Sequence, residues 1–228
     1  MTRKQSKSFQ SRLKAIDRAK KYSPEDALKI VKELSYEKFD ASIEIHVKTG
    51  IDPKKGEQVV RGSVVLPHST GKKKRIAVFA EGDQAKEAKK LGADLVGGQE
   101  LIDEIKKTGK VDFDVAIATP DMMKGLAGIA RILGPRGLMP SPKNNTVAAK
   151  VKSVIDEVLK GRIDFKNDSG GNVHCVIGTR SVDADKLLAN YHAFFDALRR
   201  ARSSTVKGVF IKGISLSSTM GPSISVAV

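Results

Sequence analysis

The chain holds one cysteine, Cys175, among its 228 residues. That excludes an internal disulfide and any cysteine-based zinc cluster, and it suits a reducing cytoplasm. Tryptophan is absent and aromatics make up only 5 %, too few for the stacking platform on which single-strand binders rely. No apolar run approaches the length of a membrane-spanning helix, and the N-terminus lacks the apolar core of a signal peptide, so no membrane partner is expected. The four histidines are scattered, and HExxH, GxSxG and CxxC patterns are missing. So are the glycine fingerprints GxGxxG and GxxxxGK[ST] that cradle phosphates. The expectation is a protein that binds rather than catalyses, with no cofactor and no metal.

Acidic groups are also scarce beside basic ones: 26 Asp and Glu against 41 Lys and Arg, a formal net charge of +15. The excess is uneven. Residues 1–67 carry +6, residues 68–159 carry +4 and residues 160–228 carry +5. The two outer segments together exceed the middle one, which points to a polyanion bound mainly by the outer segments.

The clearest local pattern runs from Lys38 to Lys48. Phe39, Ala41, Ile43, Ile45 and Val47 alternate with Lys38, Asp40, Ser42, Glu44, His46 and Lys48. A period of two predicts a strand with one face on a core and one in water. The wet face is either an ordinary solvated surface or a ligand platform bearing groups of both signs. Before it, Arg3 to Lys21 reads as a cationic helix, and Ser23-Pro24 caps a second helix. After it, Val59 to Leu66 reads as a strand in a hairpin with the first. Arg162–Asp168 and Asn172–Thr179 form a second hairpin around Ser169-Gly170-Gly171. A helix spans Asp183 to Arg202, and strands cover Lys207–Ser215 and Ser223–Val228.

Between the outer segments, strands at Ile76–Ala80, Asp94–Val96 and Val115–Thr119 alternate with helices, and a last helix runs from Val147 to Leu159. That alternation predicts a parallel sheet covered on both faces. The expected fold is thus α/β in two domains. Residues 1–67 with 160–228 form a discontinuous antiparallel α+β domain, and residues 68–159 form an inserted, parallel, Rossmann-like α/β domain. Within the insert, Ile129 to Lys143 holds three prolines and two glycines around Leu138 and Met139. It reads as a fixed loop presenting Arg131, Arg136 and Lys143, as bracing or as ligand contacts. Ser217-Ser218-Thr219-Met220-Gly221-Pro222 reads as a loop whose hydroxyls and backbone N–H groups would meet phosphate or ribose, with Met220 packing on a sugar or base.

Several motifs occur together in order: Lys38-Phe39-Asp40, Val60-Arg61-Gly62 through Leu66-Pro67-His68, Gly128-Ile129-Ala130-Arg131 running into Ile132-Leu133-Gly134-Pro135-Arg136-Gly137-Leu138-Met139-Pro140, Gly161-Arg162-Ile163-Asp164-Phe165, and Thr219-Met220-Gly221-Pro222-Ser223. Across essentially the whole chain they resemble the large-subunit ribosomal protein L-one family, bacterial type. The resemblance implies a cytoplasmic, ribosome-associated protein, a monomer when free. It implies binding of large-subunit ribosomal RNA in a mobile stalk beside the exit site for transfer RNA, with release of deacylated transfer RNA assisted. It further implies repression of translation through the messenger RNA of its own operon. The family's RNA-contact motifs fall on Lys38, Phe39, Ser42, Glu44, Lys166, His174, Ser215, Thr219, Met220 and Gly221. At Gly178-Thr179-Arg180-Ser181 the chain departs from the usual lysine-bearing pattern.

Overall fold

The computed structural model describes residues 6–71, 74–148 and 151–227, with the backbone alone at residue 143. The chain divides into two compact units, Met1–Lys72 with Ile163–Val228, and Lys73–Arg162.

In the first unit, β1 (Ser42–Thr49) is flanked on both sides. It pairs antiparallel with β7 (Asn172–Thr179) and with β8 (Ile211–Ser218), and β9 (Ile224–Val226) completes the order β7-β1-β8-β9. The alternation of β1 is kept where it matters: Ile43, Ile45 and Val47 are fully buried. Their face packs on α2 (Pro24–Leu34) through Ala27, Leu28 and Val31, and on α8 (Ala184–Arg200) through Leu187, Tyr191, Phe194 and Leu198. Ser23 caps α2 as its sequence predicts, its hydroxyl accepting from the Asp26 N–H at 3.1 Å. The cationic N-terminal helix is shorter than expected: α1 covers Lys7–Lys14, while Arg3 and Lys4 lie outside the described residues.

The first predicted hairpin does not form, and the second is paired at its turn alone. β2 (Arg61–Val65) pairs with β6 (Arg162–Lys166) in a separate two-stranded sheet, so β2 is not beside β1. β6 leads into β7 through the antiparallel bridge Asn167–Val173, with the Asp168 N–H donating to the Asn172 carbonyl at 2.8 Å. Both edges of β1 are already taken, which leaves β2 to pair elsewhere. Gly62 permits this: a Cβ there would stand 2.8 Å from the Phe165 ring. Three further bounds move. β1 begins at Ser42 rather than Lys38, which leaves Phe39 outside the strand and 52 % exposed instead of on the core face. β8 runs on to Ser218, through serines that read as loop. Val147 bridges to Ala118 instead of starting a helix, and α7 covers Val151–Leu159.

The second unit holds a parallel sheet in the order β4 (Leu95–Gly97), β3 (Ile76–Phe79), β5 (Val115–Ala118). All four residues of β3 are buried, as a central parallel strand covered on both faces requires. On one face, Val78 and Ile117 pack with α3 (Asp83–Lys90) and α7 through Ala88, Val154 and Ile155. On the other, Ala77 and Phe79 pack with α4 (Gln99–Thr108) and a run of short turns that includes α5 (Met123–Leu126) and α6 (Ala130–Leu133). The fold is therefore mixed α/β, with one antiparallel and one parallel main sheet.

Candidate nucleic-acid interface

The outward face of the four-stranded sheet is polar, and its register arranges side chains in rows. His174, His46, Ser215 and Ser225 are successive cross-strand partners on β7, β1, β8 and β9. With Lys48, Asn172 and Gly213 they line an open cleft of about 280 Å³. His46 is the hub. Its Nδ1 lies 2.9 Å from Nδ1 of His174, and its Nε2 lies 3.0 Å from the Ser217 hydroxyl. Two ring nitrogens that close share one hydrogen, so one ring donates and the other accepts. Carboxylates stand at both ends, Glu44 at 3.9 Å from His46 and Asp168 at 3.4 Å from His174. Burial first, then His174, hold the His46 imidazole below its ordinary value, against the pull of Glu44. Asp168 is held down to about 2, chiefly by the Asn172 backbone N–H and then the Asn172 side chain.

At one end of this face the N-terminal and C-terminal segments of the unit meet. The Ser42 N–H donates to Thr219 Oγ1 at 3.0 Å, and the Thr219 N–H donates to the Ser42 carbonyl at 3.1 Å. Next to them the Met220 N–H donates to Glu37 Oε1 at 3.1 Å, and the Gly221 N–H to the Ser218 carbonyl at 3.2 Å. All three N–H groups of the turn are thus used internally, which corrects the expectation that they face phosphate. The turn presents instead the Met220 side chain, 56 % exposed, with Thr219 beside it. Gly221 is needed for closeness, since a Cβ there would collide with the Ser218 side chain.

Other expected contacts sort plainly. Lys38 and Phe39 are exposed just before β1, and Glu44 and Ser215 are half-buried on the sheet's outer face. His174 is exposed on β7, and Lys166 is exposed at the end of β6. Ser42 is only 5 % exposed, so its hydroxyl is not the water-facing group its alternation suggested; Thr219 bonds to its backbone N–H and carbonyl. Arg180 is exposed but tethered. Its N–H donates to the Ala41 carbonyl at 2.8 Å and its guanidinium to the Glu37 carbonyl at 3.5 Å. Asp40 accepts from the Ser181 N–H and hydroxyl at 3.0 and 2.7 Å; the Ser181 hydroxyl is the main reason its carboxyl stays low.

Arg131 and Arg136 are exposed in the inserted unit, and the side chain of Lys143 lies outside the described residues. Their loop is pinned as expected, with Leu138 and Met139 packed on that unit's core and the Leu138 N–H donating to the Leu133 carbonyl at 3.0 Å. Cys175 is buried. Among the described residues, no cluster of His, Cys, Asp or Glu is placed to hold a metal, and no helix is long and apolar enough to cross a membrane. Two participants went unnoticed in the sequence: Asp168 and Glu37. Alternation marked His46 as outward. Nothing local marks Glu37 as part of the turn, since the partners that join it there, Ser218 and Met220, lie 181 and 183 residues away.

Residues 31–222 match the Ribosomal protein L1p/L10e family. The chain belongs to that family. The large ribosomal subunit protein uL1 of Corynebacterium aurimucosum is 48 % identical over 221 residues, covering 97 % of this chain and 94 % of the relative. The protein of the same name from Corynebacterium glutamicum is 48 % identical over 223 residues, and that from Corynebacterium diphtheriae 47 % over 221. The site residues from Glu37 to Gly221 fall within the family match, and Ser225 lies just after it. α1 lies before it.

Proposed function

We propose that the chain is a structural protein of the large ribosomal subunit, working in the cytoplasm without catalysis, that binds ribosomal RNA through the unit built from its two ends. Family membership supports the ribosomal assignment. The observation that carries the choice of surface is the paired Ser42–Thr219 hydrogen bonding. It joins residues 177 positions apart beside an exposed Phe39, an exposed Met220 and a polar sheet face. The RNA contacts proposed are Lys38, Phe39, Glu44, Lys166, His174, Ser215, Thr219, Met220 and Gly221, with Ser42 acting from beneath through Thr219.

A folded RNA is read by shape, ribose hydroxyls and a few splayed bases. Carbonyls and carboxylates suit ribose hydroxyls, and the Met220 thioether suits a sugar or base face. Lysines and arginines supply the salt-sensitive share. If about six phosphates are neutralised, affinity falls on the order of a thousandfold between 50 and 200 mM salt. The finer roles follow the same reading: a mobile stalk near the exit site, help in releasing deacylated transfer RNA, and repression of its own operon's messenger RNA through a similar RNA fold. Arg131, Arg136 and Lys143 then support from the inserted unit, and the free protein is a monomer.

Footprinting the protein on large-subunit ribosomal RNA tests this. Protection of one compact structured element, resistant to excess bulk transfer RNA, is expected. Diffuse protection that bulk transfer RNA competes away would mean a non-specific coat protein instead.

A further inference from the structure

We propose that Glu37 is a positioning residue of the RNA face, whose enclosed carboxylate fixes the Met220 turn against the segment bearing Lys38 and Phe39. This rests on the reading of that face given above. Glu37 is only 7 % exposed, and a buried carboxylate persists only when its oxygens are satisfied. Here they are. Oε1 accepts from the Ser218 hydroxyl at 2.9 Å and the Met220 N–H at 3.1 Å, and Oε2 accepts from the Ser35 hydroxyl at 2.5 Å. Burial alone would favour the neutral acid. The hydrogen bonds from Ser35, from Glu37's own backbone, from Ser218 and from Met220 outweigh it and hold the group below its ordinary value.

The preceding residue closes the other side. The Tyr36 hydroxyl donates to the Met220 carbonyl at 3.3 Å, and the Arg12 guanidinium lies 4.3 Å above the Tyr36 ring. Met220 is therefore held at its N–H and at its carbonyl by two consecutive residues, and its side chain alone projects. Glu37 adjoins Lys38 and stands two residues before Phe39, so one side chain sets the spacing between the two exposed apolar groups of the face, Phe39 and Met220. A turn fixed in advance does not have to be ordered when RNA arrives, which shows as affinity. Since the carboxylate is enclosed, Glu37 makes no phosphate contact of its own. Its loss should weaken binding without changing the salt dependence.

The test measures binding of the full chain to a large-subunit ribosomal RNA transcript, with bulk transfer RNA as competitor, over a range of salt. Glu37→Ala should bind at least about tenfold more weakly, with an unchanged slope of log affinity against log salt. Glu37→Gln keeps a carbonyl oxygen for Ser218 and Met220 and should recover to within about threefold of the parent. Hydrogen exchange at the Met220 N–H should be at least about tenfold faster in Glu37→Ala than in Glu37→Gln, a readout that stands even if the alanine variant is less stable overall. Parental affinity in both variants, or a glutamine variant as weak as the alanine one, overturns the positioning role. Met220→Asp serves as the control. If it binds normally, the RNA face itself is misassigned; if it fails to bind while both Glu37 variants bind normally, the role of Glu37 alone is refuted.

Discussion

The two units treat their sheets in opposite ways. In the inserted unit β3 lies between two layers, and all of Ile76, Ala77, Val78 and Phe79 are buried. Helices and turns occupy both faces, so the sheet has no surface to offer a ligand. In the unit built from the chain ends, α2 and α8 cover one face of the main sheet, and the other displays Glu44, His46, His174 and Ser215 to solvent. Antiparallel pairing permits one wet face, whereas parallel pairing with crossover helices covers both. A large solvent-facing platform is therefore available in the first unit and not on the sheet of the second, although both carry net positive charge. Burial pattern, more than charge, separates the two sheets.

The contrast is sharpest at Met220. Met220→Asp places a carboxylate on the exposed turn and should lower specific RNA affinity at least about a hundredfold, while thermal denaturation is unchanged because the side chain packs on little. A filter-binding titration with unchanged affinity would remove the turn from the interface. Phe79→Ala does the reverse. It empties a fully buried site in the inserted unit and should cost about 3–5 kcal/mol of stability, read by denaturant unfolding, with RNA affinity held within about threefold below the transition.

A third difference is pH. His46 has a folded-state value below its unfolded one, so the unfolded chain takes up protons more readily. Its contribution to stability is full above about 6.5 and is lost as pH falls through the lowered folded value. Denaturant midpoints should fall more between pH 8 and 5.5 in the parent than in His46→Gln; equal falls would show that the imidazole pair is not linked to folding. The smallest effect expected comes from removing residues 68–159 and bridging the ends. A folded variant of that kind should bind within about threefold of the parent, and loss of specific binding would make the inserted unit a principal RNA contact.

Local pattern revealed elements and faces but not neighbours. The alternation of Phe39 to Val47 located β1 and its buried side, because period two is a property of one strand. It could not show that β7 and β8 take both edges of β1, which is what displaces β2 into another sheet. Phe39 was misassigned because alternation continues three residues beyond the last paired one; the backbone leaves the strand where pairing stops. Ser217 and Ser218 read as loop because serine is common in turns, yet they continue β8 under the protection of β1. Of the candidate site, the turn at Thr219 to Gly221 and the outward His46 were legible. Glu37 was not, since its role exists only through groups on the far end of the chain.

The central position of β1 has a bearing on how the molecule is made. β1 ends at Thr49, and the strands on either side of it start at Asn172 and Ile211. The ribosome synthesises more than a hundred further residues before the first of these emerges. The inserted unit, contiguous in sequence, is complete by then, while β1 waits with both edges bare. A nascent chain interrupted before Asn172 carries an apolar strand with neither of its partners.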